Sequence, residues 1–229
     1  MDSSPKFDCV ISRYREYIDW VNYLLPEIEN IYIYNKGDND VLFKEPGKIT
    51  CADKLKKKNI ENLGRIDHTI VYHILEHWDS LPDYLIVLPG TILMSPRKGH
   101  YFSYMMKTIK KKLLQKYKGF FAPRFKKVSP DFNYTIDDYQ AEGYCNRNSN
   151  KFIKSEYKDF QTWKNALIDD KPIKYVAMRG MFIVSRENIK HIDKEVYQKL
   201  LVSLSVGDNI ENGHFAERIW AHLFTQLTY

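Results

Sequence analysis

The sequence predicts an α/β protein with a mostly parallel central sheet flanked by helices. Apolar runs of strand length stand at "FDCVIS" (7–12), "NIYIYNKG" (30–37) and "DYLIVLPG" (83–90). Segments with apolar residues at helical spacing separate or follow them, the alternation that layered α/β domains require. Each run stops at a polar or glycine-containing turn, which marks the strand ends.

Taken in order, "FDCVIS" has the length and branched residues of a buried strand. "EYIDWVNYLL" (16–25) places Ile18, Val21, Leu24 and Leu25 on one helical face, and Pro26 interrupts it. "NIYIYNKG" alternates as a second strand, and "KIT" (48–50) reads as a short one. "NLGRIDHTIVYHILEHWDSL" (62–81) is a loop feeding a long helix, and "DYLIVLPG" is a buried strand stopped by Pro89 and Gly90. A helix is expected over "YFSYMMKTIKKKLLQKYKG" (101–119), then an irregular stretch over 120–150 and a helix over "EYKDFQTWKNALI" (156–168). "IKYVAMRGMFIVSRENIKHI" (173–192) gives a strand, a turn at Arg179 and Gly180, a second apolar run and a helix start. "ENGHFAERIWAHLFTQL" (211–227) closes as a helix with Phe215, Ile219, Trp220, Leu223 and Phe224 inward. No repeat or linker divides the chain, so residues 1–229 read as one domain.

Composition narrows the function classes. With 44% hydrophobic and 14% aromatic residues the chain has too much apolar material to be disordered. No apolar run reaches the roughly 20 residues that cross a bilayer. The start, "MDSSPKFDCVISRY", lacks a basic region followed by an apolar one, so no secretory signal is expected. Cys9, Cys51 and Cys145 form no metal or disulfide spacing. A reducing, cytoplasmic setting is expected. The net charge of +6 concentrates in "KLKKKN" (54–59) and "KTIKKKLLQKYKG" (107–119). In the second run Ile109, Leu113, Leu114 and Tyr117 recur at helical spacing, so its lysines read as a wet helix face and nucleic acid is a poor expectation.

Two constellations compete for the chemistry. His73, Glu76 and His77 spell H-x-x-E-H, in which two imidazoles four residues apart could grip zinc and Glu76 could activate a bound water. A third ligand is missing, and Ile70, Ile74, Leu75 and Trp78 make the same segment an ordinary apolar stripe. Against it stand the strand ends: Ser12, Arg13 and Tyr14, then Tyr34, Asn35, Lys36, Gly37 and Asp38, and "NLGRIDHT" with Gly64 and Arg65. In a parallel sheet these meet at one rim, the ligand side of open α/β folds. A ring for a base, a carboxylate for a ribose and cations for phosphates suit a nucleotide.

The blocks "VISRYREYIDWV", "IYIYNKG", "NLGRIDHTIVYHILEHWDSLPDYLIVLPG", "RGMFIVSRENI" and "FAERIWAHLF" follow an order that resembles a family of glycosyltransferase-like domains. That family is itself similar to GT-A nucleotide-sugar transferases and occurs in large DNA viruses, fungi and algae. The resemblance covers roughly residues 7–225 apart from the middle. It implies a GT-A-like, Rossmann-like domain that moves a sugar from a nucleoside-diphosphate sugar to a hydroxyl of a glycan or glycoprotein, with inversion. Donor contacts are implied at Ser12, Arg13, Tyr34, Asn35, Lys36, Asp38, Arg65, Pro89 and Gly90, and acceptor contacts at Arg179 and Gly180. Glu217 stands where the base belongs, unless it pairs with Arg218 or Arg186.

One departure matters. The resemblance implies Mn2+ or Mg2+ on a D-x-D motif after the strand ending "IVLPGTIL", where Pro89, Gly90 and Thr91 stand instead. The literal D-x-D, Asp38 to Asp40, follows the second strand. The metal ligands therefore stay unassigned, with Lys36, Arg65 or Arg97 as alternative sources of positive charge. A zinc hydrolase, and an inactive nucleotide-sugar or nucleic-acid binder, remain the alternatives.

Overall fold

The computed structural model describes residues 4–111, 114–138 and 152–226. Its centre is a six-stranded sheet. β1 (Phe7–Arg13), β2 (Ile28–Asn35), β3 (Leu55–Asn59) and β4 (Tyr84–Pro89) run parallel, and β5 (Phe120–Phe121) and β8 (Phe182–Ser185) complete it in the order β3-β2-β1-β4-β8-β5. β8 is antiparallel to β4. A separate pair joins β6 (Phe125–Lys127) to β7 (Tyr175–Ala177).

Strand alternation divides the core between the two sheet faces. Val10, Tyr34, Leu85, Val87, Phe182 and Val184 face one cluster, and Cys9, Ile11, Ile33, Ile86, Leu88 and Ile183 the other. Helices α1 (Arg65–Glu76), α3 (Phe160–Leu167), α5 (Lys194–Leu204) and α6 (Glu211–Thr225) contribute buried residues to the first cluster. Helix α2 (Pro96–Lys110) covers the second with Phe102, Met105, Met106 and Ile109. The short α4 (Arg186–Lys190) follows β8 directly, with the Ser185 side chain accepting from Asn188 N–H as its cap.

Several elements differ from expectation, among them β5 and β6, which fall in the stretch read as irregular. The helix read over 16–25 is only a 3-10 turn, Asp19–Tyr23. Its polar face is tied sideways: Asp19 accepts from Lys44 and Glu45 N–H at 3.1 Å, and Asn22 bonds Lys48 O and Thr50 N. The third strand is the lysine-rich 55–59 segment and not "KIT", whose residues bridge a 3-10 turn and the next loop. β3 lies at the sheet edge, where lysines discourage pairing with another chain. Helix α2 begins at Pro96, earlier than the 101 expected, because Ser95 caps it and proline fits its first turn. Finally, α5 stands where no element was expected. Part of the irregular stretch, including Cys145, falls outside the described residues; Cys9 is buried and Cys51 half-buried, both as free thiols.

The topology has one consequence for function. From β1 the chain moves outward through β2 and β3, then returns to place β4 on β1's other side. Ser12 pairs with Pro89 and Arg13 with Asn35, so three parallel strands end level. A crevice outside the carboxyl ends at such a switch point is where open α/β sheets take ligands. Among the described residues no helix is long and apolar enough to cross a membrane.

Candidate functional site

A cleft of about 1150 Å3 opens at this switch point. β1 contributes Ser12 and Arg13, the end of β4 Pro89 and Gly90, and the first turn of α1 Arg65 and Asp67. The far wall is Arg97 and Lys98 from α2, Arg179 from the β7–β8 turn, and Glu217 and Arg218 from α6. Eight cationic residues line it against three carboxylates, Glu16, Asp67 and Glu217. That imbalance favours an anionic ligand.

Two backbone bonds and one from an indole hold the rim together. Gly90 N–H donates to Ser12 O at 2.7 Å, Lys36 N–H to Arg13 O at 2.8 Å, and Trp20 Nε1 to Gly90 O at 3.1 Å. At Gly90 a Cβ would lie 3.2 Å from the Arg13 backbone and 3.0 Å from Glu16 Oε2, so a side chain would require these neighbours to give by a few tenths of an ångström.

The residues predicted for this rim sort into two groups. Ser12, Lys36, Arg65, Pro89, Gly90, Arg179 and Glu217 all line the cleft. Ser12 Oγ shares a 3.0 Å hydrogen bond with Thr69 Oγ1, fixing β1 against α1. The Lys36 ammonium donates to the carbonyls of Leu63 and Arg65, and burial lowers it to about 7 against the pull of Asp67. Arg65 donates to His214 Nε2 at 2.7 Å, whose ring is kept neutral first by burial and then by Arg65 and Arg218.

Arg13 also borders the cleft but turns its guanidinium inward. It is 1% exposed and donates to Asn35 Oδ1, Glu16 O, Asn39 O and Val41 O. It is a brace for the loop after β2, so its donors are not available to a phosphate. Asn35 is the other half of that brace. Tyr34 lies beneath α1, with its hydroxyl 2.9 Å from His73 Nδ1 and 3.3 Å from Glu76 Oε2. Asp38 is on the surface 3.4 Å from Arg15, and Asp40 is engaged by Lys57 at 2.5 Å. Gly180, at φ +56, belongs to the turn behind the wall, where a Cβ would meet Ile66 at 2.7 Å. None of Tyr34, Asn35, Asp38 and Gly180 lines the cleft.

Glu217 and Arg179 form a unit. Arg179 has φ 80, a left-handed conformation costly for a side-chain residue, and Glu217 Oε1 accepts its N–H at 2.5 Å. The other Glu217 oxygen lies 3.8 Å from Arg218, while Arg186 is engaged elsewhere, 2.7 Å from Asp83. The Arg179 guanidinium reaches over the Tyr101 ring at 5.7 Å, and its buried Nε has no hydrogen-bond partner among the described residues.

Sequence reasoning missed Asp67 and Lys98. Asp67 is 1% exposed and accepts from Trp220 Nε1 at 2.7 Å. Burial first, and Glu217 next, push its carboxyl up to about 7 against the pull of Arg65 and Lys36. Its signal was present: a carboxylate four residues before Val71 and seven before Ile74 occupies the apolar stripe of α1. Lys98 donates to Thr91 Oγ1 at 2.5 Å and is lowered by burial and then by Arg179.

The H-x-x-E-H segment is built differently. His73 is fully buried, its Nδ1 faces Tyr34, and its ring lies 4.5 Å from that of His77 and 4.8 Å from Tyr32. Burial and His77 lower His73 to about 3, so the ring is neutral. Glu76 is taken by Lys58. Among the described residues no three His, Cys, Asp or Glu side chains are grouped to hold a metal, at this helix or in the cleft. The end of β4 offers Pro89, Gly90 and Thr91 and no carboxylate, so its donor set does not fit the Mn2+ or Mg2+ that the resemblance implies. The "KLKKKN" lysines are likewise engaged: Lys54 by the Pro26 and Ile28 carbonyls, Lys56 over Tyr32, Lys57 by Asp40, and Lys58 by Glu76.

No family model matches the chain, and a search of curated proteins finds no match.

Proposed function

We propose that the chain is a nucleotide-sugar-dependent glycosyltransferase of GT-A type acting on a hydroxyl of a glycan or glycoprotein. The observation that carries the reading is the basic cleft at the β1/β4 switch point with Glu217 on its far wall. Its volume of about 1150 Å3 has room for a nucleoside diphosphate, a sugar and part of an acceptor. Tyr14, 41% exposed at the end of β1, offers a ring face for a base. The resemblance in the motif order adds the transferase class to what the cleft alone supports.

In this reading the acceptor oxygen forms a bond to the anomeric carbon while the bond from that carbon to the diphosphate oxygen breaks. The electron pair leaves with the diphosphate, where the cations stabilise the added charge. The acceptor proton passes to Glu217, which is 19% exposed along its side chain, whereas Asp67 is sealed behind it. Attack from the acceptor side opposite the leaving group inverts the anomeric centre.

The test is a thermal-shift screen of nucleoside diphosphates and nucleotide sugars. Ligand at about 100 times its Kd adds about 2.7 kcal/mol, a rise of roughly 5–10 °C for a chain of this size. At least one nucleotide should give it. No shift across the whole panel at millimolar ligand would remove the reading.

A further inference from the structure

A divalent ion that bridges a diphosphate needs free oxygen ligands from the protein. Each of the three carboxylates of the cleft already accepts a hydrogen bond from the protein, and none stands at the end of β4 where the resemblance places the metal. Glu16 Oε2 accepts from the N–H groups of Tyr14 and Arg15 at 2.7 and 3.1 Å, Asp67 holds Trp220, and Glu217 holds the Arg179 backbone. Position 91, after the end of β4, is Thr91, whose hydroxyl accepts from Lys98.

Positive charge is meanwhile gathered here, since eight cationic residues line the cleft against three carboxylates. Lys98 is held below its ordinary value by burial and then by the repulsion of Arg179, against the attraction of Glu16 and Glu217, with Arg65 adding a smaller repulsion. Arg179 sits in a left-handed backbone conformation that Glu217 maintains, with its buried Nε unpartnered among the described residues. Like charges held together in a strained, half-buried arrangement are unfavourable unless a ligand neutralises them.

We propose, resting on the donor reading above, that the donor's diphosphate is held directly by Lys98 and Arg179, with Arg65 beside them, and that binding needs no divalent cation. Arg179 supplies a planar fork for two phosphate oxygens and Lys98 a point charge from the first turn of α2. As the bond to the sugar breaks, the charge that builds on the diphosphate falls between side chains already in place.

The experiment measures calorimetric binding of nucleoside diphosphates and of inorganic pyrophosphate to the full chain, in excess EDTA and again with saturating Mn2+. The wild type should bind equally well, within about threefold, in both conditions. Lys98→Gln and Arg179→Gln should each lose about tenfold or more, the usual worth of a charge-assisted contact. Their unliganded melting temperatures show whether either variant is misfolded, and the EDTA comparison needs no variant. Binding that appears only with Mn2+, or folded variants that both bind like wild type, overturns the direct clamp but leaves the donor reading standing. No binding of any diphosphate in either condition overturns both.

Discussion

The two ends of α1 carry similar chemistry and use it in opposite ways. At its C-terminal end, His73, Glu76 and His77 form a zinc-like spacing, yet the groups are consumed in packing: His73 with Tyr34, Glu76 with Lys58, His77 with Tyr32. At its N-terminal end, Arg65 and the buried Asp67 line the cleft together with Glu217, Lys98 and Arg179. Burial explains the first end. Burial and the neighbouring His77 keep the His73 imidazole neutral, packed between two tyrosines and a second histidine. Geometry explains the second. Three level strand ends and a helix start converge, so polar groups that would elsewhere pair with each other are left facing a space. Which residues are near one another in sequence says little about this; which strand ends they cap says most of it.

The largest expected effect separates the two ends by activity. Glu217→Gln keeps an oxygen for the Arg179 N–H, so the fold should hold while transfer from a nucleotide sugar drops about 10²–10⁴-fold, the usual worth of a general base. Glu76→Gln, at the other end of the helix, should leave the rate within about twofold. A Glu217→Gln enzyme that turns over normally would move the base elsewhere, with Asp67 the next residue to examine.

The next effect reverses the comparison and is read as stability. His73→Ala removes a fully buried ring and leaves the Tyr34 hydroxyl short of one partner. It should cost about 2–4 kcal/mol in chemical denaturation. Nucleotide affinity should not change in the folded fraction, and metal analysis of the wild type should find no stoichiometric zinc. Zinc at one per chain, lost on His73→Ala, would reinstate the hydrolase alternative.

Much of the fold was legible because its central strands are buried on both faces and so read as apolar runs: β1, β4 and β8 did, and α6 showed its inward stripe. β3 did not, because an edge strand of lysines has no buried face to leave an alternating pattern. Helix α5 was legible but unread. Tyr197, Leu200 and Leu204 recur at helical spacing in "DKEVYQKLLVSL" and are buried in the structure. At the site, sequence located the rim but not the direction of its side chains. A cation at a strand end resembles a phosphate ligand even where, as at Arg13, its guanidinium turns inward to brace a loop. Lys98 and Arg179 come from α2 and the β7–β8 turn, distant segments that only the tertiary fold brings to the rim.

The smallest expected effect concerns the pH dependence of the cleft end of α1, and it follows from the signs of two shifts. Asp67 is raised from 3.8 to about 7 in the folded chain. Its contribution to stability is therefore complete below about 3.8 and is lost as pH climbs through about 7. Lys36 is lowered from 10.5 to about 7, so its contribution is complete above about 10.5 and is lost as pH falls through about 7. The two losses meet near neutrality, where the empty cleft should be at its least stable. Asp67→Asn retains an acceptor for Trp220 and removes one arm of that dip. Its stability relative to wild type should rise between about pH 4 and pH 7 and level off above. Coupling to Lys36 and Glu217 shares the proton among the groups and holds the gain to on the order of 1–2 kcal/mol. Denaturation curves of the two proteins across that range decide it. A difference that stays flat with pH would mean that Asp67 is ionised throughout, and the cleft would then carry a permanent negative charge beside the proposed base.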